Sequence, residues 1–349
     1  MSSLGSAAGG MSTVALDVGG ANLKLADGQN YARTCSFPLW KQYRALPGAI
    51  RRLLDDAPEH RAVAVTMTGE LADCFSTKQQ GVSYILDSVR RAAGRCPVSV
   101  YLTDGRLVSL DEALMAPLCA AASNWHVLAW FAAWSAAPHS GCLIDIGSTT
   151  CDIIPFSDGR VTSTGYDDVG RLMSGELVYT GVGRTPVCAL ARTAEYRGRN
   201  CPLAKELFAM TQDVYLSLDE LPEQPHDSDT ADGRPATKSA ARTRLARMFC
   251  VDSSYFTDGD ACIFATQVAQ VQLDEICAAV TRVIPPMLTE PTAFVVSGIG
   301  EFLARRVVAR MNSTAQVMSL ADQYGAAVSR CATAYALARL ANGKPSDEL

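Results

Sequence analysis

Two short runs place an aspartate at the end of a strand and follow it with glycine and a return strand. The first is Asp17-Val-Gly-Gly-Ala-Asn-Leu-Lys24. At a hairpin tip, Gly19 and Gly20 let backbone N–H groups come close to phosphate oxygens, because no Cβ stands between. Asp17 is suited to hold Mg²⁺ directly or through water, and Lys24 adds positive charge. The second run, Asp145-Ile-Gly-Ser-Thr-Thr150, repeats the logic. Gly147 makes its turn, and the hydroxyls of Ser148 and Thr149 can donate to phosphate or to the water shell of a metal. Either run alone also describes an ordinary hairpin. Their recurrence 128 positions apart, with Leu16-Asp17-Val18-Gly19 matched in residue type by Ile144-Asp145-Ile146-Gly147, predicts two related domains that grip a metal-bound phosphate chain. A third run, Val295-Val-Ser-Gly-Ile-Gly300, leads from a strand into a helix. Gly298 and Gly300 allow a ligand to approach there, and a helix start favours anions; simple strand–helix packing is the competing explanation. Arg305 and Arg306 stand where a dinucleotide fingerprint would continue, which excludes that motif.

The elements that must carry these turns follow from hydrophobic spacing. Thr13 to Asp17, Asn22 to Ala26 and Tyr31 to Phe37 form a meander of hairpins. Helical spacing covers Leu46 to Leu54 and Val82 to Ala93, the latter stopped by Gly94, while Ala62 to Thr66 and Val98 to Leu102 are strands. The pattern then restarts, with Cys142 to Asp145 and Thr150 to Phe156 as a second strand pair. In the later half, helices are expected over Thr185 to Ala194, Pro202 to Thr211, Ala241 to Phe249, Ala261 to Ile284, Glu301 to Met311 and Ala326 to Leu340. Leu221 to Ala240 is polar and rich in Asp, Pro and Thr, a long loop that is either disordered or a substrate lid. The expected organisation is a flexible tail over 1–10, a first lobe over 11–140, a second lobe over 141–343 carrying the loop at 221–240, and a short tail over 344–349.

Composition narrows the function. The 349 residues are 48% hydrophobic and 19% charged, with a net charge of −5, enough apolar mass for a core in each lobe. The acidic balance argues against nucleic acid or an anionic membrane as partner, and leaves a small phosphate-bearing molecule as the expected one. Homo-oligomerisation stays open. The most apolar stretch, Ala113 to Ala137, is interrupted by Pro117, Ser123, Asn124 and His126 and is too broken to span a bilayer. No secretory leader is visible in MSSLGSAAGG, so a cytoplasmic location is expected. The twelve cysteines lack metal-knuckle spacing and are expected to be reduced, and the four histidines include no metal-spaced pair.

An Asp-x-Gly hairpin, a second one and a late Ser-Gly-x-Gly, in that order, resemble the two phosphate motifs and the adenosine motif of the actin-like ATPase superfamily. Finer matches are Met67-Thr-Gly-Glu-Leu71, Gly165-Tyr-Asp-Asp-Val-Gly170, Ser174-Gly-Glu-Leu-Val-Tyr-Thr-Gly181, Arg184-Thr-Pro186 and Thr230-Ala-Asp-Gly-Arg-Pro235. Together they resemble the hydantoinase/oxoprolinase-like proteins of tetrahydromethanopterin-linked one-carbon metabolism. That resemblance implies an α/β chain of two actin-like (ribonuclease H-like) lobes with a central phosphate-binding cleft. It implies a transferase that condenses an aminomethylfuran-methyl diphosphate with the phenol of a γ-glutamyltyramine-like acceptor, releasing diphosphate on the way to a methanofuran-type cofactor. Mg²⁺ and either ATP or diphosphate are the implied ligands. Asp17, Asp145, Gly19, Gly20, Lys24, Ser148 and Thr149 would hold the leaving group; Glu70 or Glu176 would serve as base. Arg184 or Arg234 would neutralise developing charge, and Asp232 with Arg234 would work on a lid. Two alternatives remain: an ATP-dependent kinase or hydantoinase/oxoprolinase-like hydrolase, and a nucleotide-binding sensor without catalysis.

Overall fold

The strand Thr13–Val18 (β1) is apolar at four of its six positions because both its faces are covered, and all six of its residues are buried. It lies at the centre of a sheet in the computed structural model, which describes residues 12–287, 289–311 and 313–343. The tails expected at 1–10 and 344–349 lie outside the described residues. Around β1 the chain adds Asn22–Ala26 (β2), Ala32–Ser36 (β3), Ala62–Met67 (β4), Val98–Tyr101 (β5) and Leu107–Ser109 (β6), in the order β3-β2-β1-β4-β5-β6. The first three are antiparallel neighbours, whereas β4 and β5 run parallel to β1. This meander followed by parallel strands is the ribonuclease H-like arrangement.

One face of this sheet packs Leu16, Val18, Val65 and Met67 against Ile50 and Leu53 of the helix Leu46–Asp55 and Ile85, Leu86 and Val89 of the helix Lys78–Ala93. The helix Ala332–Ala341 packs against β1, β2 and β4 and against the helix Asn124–Ser135. Its small side chains let helix and sheet backbones approach closely, and Asn342 just beyond it bonds both the N–H and the C=O of Thr13.

The second unit repeats the scheme. Gly141–Ile146 (β7) pairs antiparallel with Cys151–Ser157 (β8), whose outer edge carries Arg160–Val161 (β9) and Leu177–Val178 (β10). A two-stranded ribbon follows, Thr193–Tyr196 (β11) with Arg199–Pro202 (β12). Ala293–Ser297 (β13) then runs parallel to β7, and Gln316–Ser319 (β14) parallel to β13, giving the order β10-β8-β7-β13-β14. The helix Glu301–Arg310 connects β13 to β14, and the 26-residue helix Asp258–Val283 supplies Ile276, Ala279, Val280 and Val283 to the core around β7 and β13. Both units are therefore actin-like lobes of an α/β protein.

Three expectations need correction. Contacts divide the chain into a unit that runs to Ser135 and resumes at Leu320, and a second unit of Ala136–Ser319, so the stretch from Leu320 belongs to the first lobe rather than the second. The reason is the docking of the helix Ala332–Ala341 on β1. Helix is absent over most of Thr185 to Ala194, where only Val187–Leu190 is helical and β11 follows. It is also absent over Pro202 to Met210, with the next helix at Thr211–Ser217. A turn at Arg197 and Gly198, both at positive φ, closes the β11–β12 ribbon there and commits the flanking residues to strands. The loop expected from Leu221, left open between disorder and a lid, is closed by a bridge between Gln224 and Ala236 and ends at Thr237, which caps the helix beginning at Lys238.

Candidate active site

In the second unit the turn after β7 is assembled from three segments of the chain. Asp145 sits one residue from the end of β7, directly across from Asp152 on β8 and Ser297 on β13. The Ser297 hydroxyl, fully buried, donates to Asp145 at 2.5 Å. Two carboxylates facing each other across strands would repel, and the buried guanidinium of Arg171 relieves this by pairing with Asp152. The turn itself closes by a bond from the Gly147 N–H to the Thr150 carbonyl at 2.9 Å, leaving Ser148 and Thr149 half-buried at its tip.

A second loop, Gly181 to Arg184, lies on that tip. The N–H groups of Val182, Gly183 and Arg184 donate to the carbonyls of Gly147 and Ser148 at 2.8–3.0 Å. A side chain at 181 would collide with the Ser148–Thr149 peptide at 2.5 Å, so only glycine permits the contact. Arg184 is thereby anchored at Ser148 by its own backbone. The late glycines arrive from the other side. Gly298 has φ +93°, and a Cβ there would fall on the Ile146 carbonyl and 2.9 Å from Asp145; one at Gly300 would meet Ile146 at 2.5 Å. Both glycines are thus required by close packing on the end of β7, whatever binds nearby.

The first unit carries its own version. Asp17 also stands one residue from the end of its strand, opposite Lys24 on β2 and Thr66 on β4. Thr66 corresponds to Ser297, so each aspartate has a hydroxyl residue as its parallel neighbour. The antiparallel neighbours differ: Asp17 meets an ammonium, Lys24, at 3.6 Å, whereas Asp145 meets a carboxylate. Gly19 closes the turn to Asn22, and a Cβ at Gly69 would lie 3.3 Å from the Gly19 carbonyl. The turn holding Glu70, which is buried, is therefore packed on the turn of Asp17. A Cβ at Gly20 would meet nothing within 4 Å, so that position is open.

The structure thus brings Asp17, Gly19, Lys24 and the turn of Glu70 together in one unit, and Asp145, Gly147, Ser148, Thr149, Gly298, Gly300 and the backbone of Arg184 in the other. Three other sequence candidates have different surroundings. Glu176 is buried and accepts four bonds, from the Ser163 hydroxyl, the Thr164 hydroxyl and the N–H groups of Thr164 and Gly165. It fastens the loop 163–165. Asp232 accepts from Arg244 at 3.0 Å and Arg247 at 3.1 Å and so fastens its own loop to the helix Lys238–Met248. Burial opposes its charge, but the Arg234 N–H and the Arg244 guanidinium outweigh it and hold the carboxyl below its usual range. Arg244 is fully buried and also bonds Asp213, whose carboxyl is raised by burial despite that partner. Arg234 is exposed, 3.9 Å from Asp232.

Sequence reading missed Ser297 as the partner of Asp145, although it directly precedes Gly298. It also missed Thr180, Thr211 and Gln272, which hold the Gly181 loop from behind. Among the described residues, no group of three or more His, Cys, Asp or Glu side chains gathers into a metal cage. The Asp145 carboxylate, bonded by the Ser297 hydroxyl, is the donor type used for a Mg²⁺ that arrives with substrate phosphates and keeps several waters. All twelve cysteines are free, and no helix of the described residues is long and apolar enough to cross a membrane.

Comparison with known proteins adds an evolutionary dimension. The model of the hydantoinase/oxoprolinase family matches residues 61–344. The (4-{4-[2-(gamma-L-glutamylamino)ethyl]phenoxymethyl}furan-2-yl)methanamine synthase of Methanocaldococcus jannaschii is 35% identical over 328 residues, covering 93% of this chain and 96% of that protein. The synthase of the same name from Methanococcus vannielii is 30% identical over 200 residues, 57% of this chain and 89% of that one. Among solved structures, nucleotide-free acetone carboxylase aligns at 11% identity and a TM-score of 0.47 over 91% of this chain, which spans only 51% of the carboxylase chain. Component A of (R)-2-hydroxyglutaryl-CoA dehydratase from Acidaminococcus fermentans aligns at 12% identity and a TM-score of 0.45, over 95% of this chain and 98% of that one. On the match of the family model and the end-to-end identity to a curated relative, the chain belongs to the hydantoinase/oxoprolinase family.

Proposed function

We propose that the chain is a transferase that joins an aminomethylfuran-methyl diphosphate to the phenol oxygen of a γ-glutamyltyramine-like acceptor and releases diphosphate. The observation that carries this reading is the 35% identity sustained over 93% of the chain and 96% of a relative whose name describes such an aryl ether. In the step, the bond from the furfuryl carbon to the diphosphate oxygen breaks with its electron pair, the phenol oxygen bonds that carbon, and the phenol proton leaves to a base. The furan ring stabilises positive charge at the reacting carbon, so the protein's task is to hold the leaving group and orient the acceptor.

In this reading the hydroxyls of Ser148 and Thr149 and the guanidinium of Arg184 bind the diphosphate, and Gly19, Gly20 and Lys24 belong to a second phosphate-binding turn. Asp145 would hold Mg²⁺, which would supply charge to the leaving phosphates, and Asp17 is the corresponding carboxylate of the first unit. Glu176 has both oxygens committed to four donors, so Glu70 is the proposed base. Diphosphate, rather than ATP, is the phosphate-bearing ligand. The test is incubation of the purified protein with the furan diphosphate, γ-glutamyltyramine and Mg²⁺, with the ether followed by mass spectrometry and diphosphate by a coupled assay. Both products should appear in equal amounts. No ether, together with steady hydrolysis of ATP, would replace this reading with an ATP-dependent kinase or hydrolase.

A further inference from the structure

Gln272 lies inside the long helix Asp258–Val283 and is completely buried. An apolar residue would fill that position at no polar cost, since an amide taken from water must recover every hydrogen bond it loses. Gln272 recovers three. Its Nε2 donates to the Gly181 carbonyl and to the Thr180 hydroxyl, each at 2.8 Å, and its Oε1 accepts from the Tyr215 hydroxyl at 2.6 Å. The orientation of the amide is forced, because a carbonyl such as that of Gly181 can only accept. Thr211 adds a second donor to the same carbonyl at 2.8 Å, and Thr185 bonds the Gly181 N–H at 2.9 Å.

The held residue is the first of the loop whose next three N–H groups bond the Gly147–Ser148 turn. Gly181 has no spare room on that side, so a shift of its carbonyl must move Val182, Gly183 and Arg184 with respect to Ser148. We propose that Gln272 is a positioning residue: through its amide it sets the register of the Gly181–Arg184 loop on the Ser148 turn, and thereby the place of the Arg184 guanidinium at the phosphate site. The last clause rests on the proposed function; the register does not.

Gln272→Glu tests this with almost no change of shape. When protonated, the carboxyl can still donate to the Gly181 carbonyl; when ionised, it sets acceptor against acceptor. Burial raises the pKa of such a carboxyl, so the switch falls in a convenient range. Amide hydrogen exchange is measured at about pH 5.5 and pH 8 and expressed as protection relative to the parent protein. Protection of the Val182, Gly183 and Arg184 amides should fall at least about tenfold between the two, the scale of one lost hydrogen bond, with β7 and β13 amides unchanged. Gln272→Met, which deletes all three bonds at similar volume, should leave the loop loose at both pH values, and it decides the matter if Gln272→Glu fails to fold. Affinity for inorganic diphosphate, measured by calorimetry, should weaken in step with loop protection. Parent-like protection of the loop in both variants overturns the inference. If the loop responds but the parent protein binds no diphosphate, the positioning stands and the proposed function falls.

Discussion

At the scale of single residues, the two aspartate turns have the same backbone plan but different electrostatics. Asp17 shares its charge with Lys24, whereas Asp145 is bonded by a neutral hydroxyl and faces another carboxylate. Asp145→Asn should therefore lower kcat for ether formation by at least about a hundredfold, with an unchanged melting profile; unaltered turnover at saturating Mg²⁺ would remove Asp145 from the site. His126 offers a separate test of the first unit. Its ring is half-buried with Nδ1 2.7 Å from the Tyr101 hydroxyl, and desolvation lowers its pKa from the ordinary 6.5, with Asp104 pulling the other way. A lowered value means that the folded state prefers the neutral ring. Its stabilisation is thus complete above the unfolded value and is lost as pH drops through the lower folded value. The fall in melting temperature between about pH 7 and pH 5 should be smaller in His126→Gln than in the parent. The aspartates and glycines were legible in the sequence because the Asp-x-Gly pattern recurs at two strand ends 128 positions apart. Ser297 and Gln272 were not, since each gains its role only from strand register or from a helix packed behind a loop.

At the scale of elements, the loop from Leu221 is held by the buried cluster of Asp213, Arg244 and Asp232. Removing Asp213 leaves the fully buried Arg244 guanidinium with only the half-buried Asp232 to balance it, so Asp213→Ala should cost about 3 kcal/mol in a denaturant titration. Arg234 is exposed and its pair with Asp232 is long, so Arg234→Ala should change stability by under about 1 kcal/mol. If Arg234 also serves a substrate, that variant should raise KM or divert the furan diphosphate to hydrolysis; parent-like values of both leave Arg234 no role beyond the surface. Composition suggested a loop here but could not reveal its order, because the residues that fix it lie in neighbouring helices. The β11–β12 ribbon was overlooked for the opposite reason. Arg197-Gly198 was a usable turn signal, yet apolar spacing on either side also fitted helix.

At the scale of the whole molecule, the repeat of Asp-x-Gly correctly announced two related lobes, but the end of the second was misplaced. An Ala-rich helix advertises that it packs closely, not which sheet it packs on. Residues 136–319 contain all strands of the second unit, so this segment expressed alone should show a cooperative thermal transition. Residues 12–135 alone lack the helix that packs on β1 and should not, until the segment from Leu320 is supplied. Circular dichroism melts of the two pieces check both statements, and a cooperative transition in 12–135 alone would show that the helix is dispensable.

The bonds from Asn342 to Thr13 join residues 329 positions apart. On a ribosome, the strand Thr13–Val18 emerges ahead of the whole second unit and its covering helix after it, so the first lobe stays without that helix until the second has been made. Vectorial synthesis therefore completes the lobes in reverse of their order in the message. During that interval one apolar face of the early sheet stays without its covering helix, a surface that a chaperone would shield.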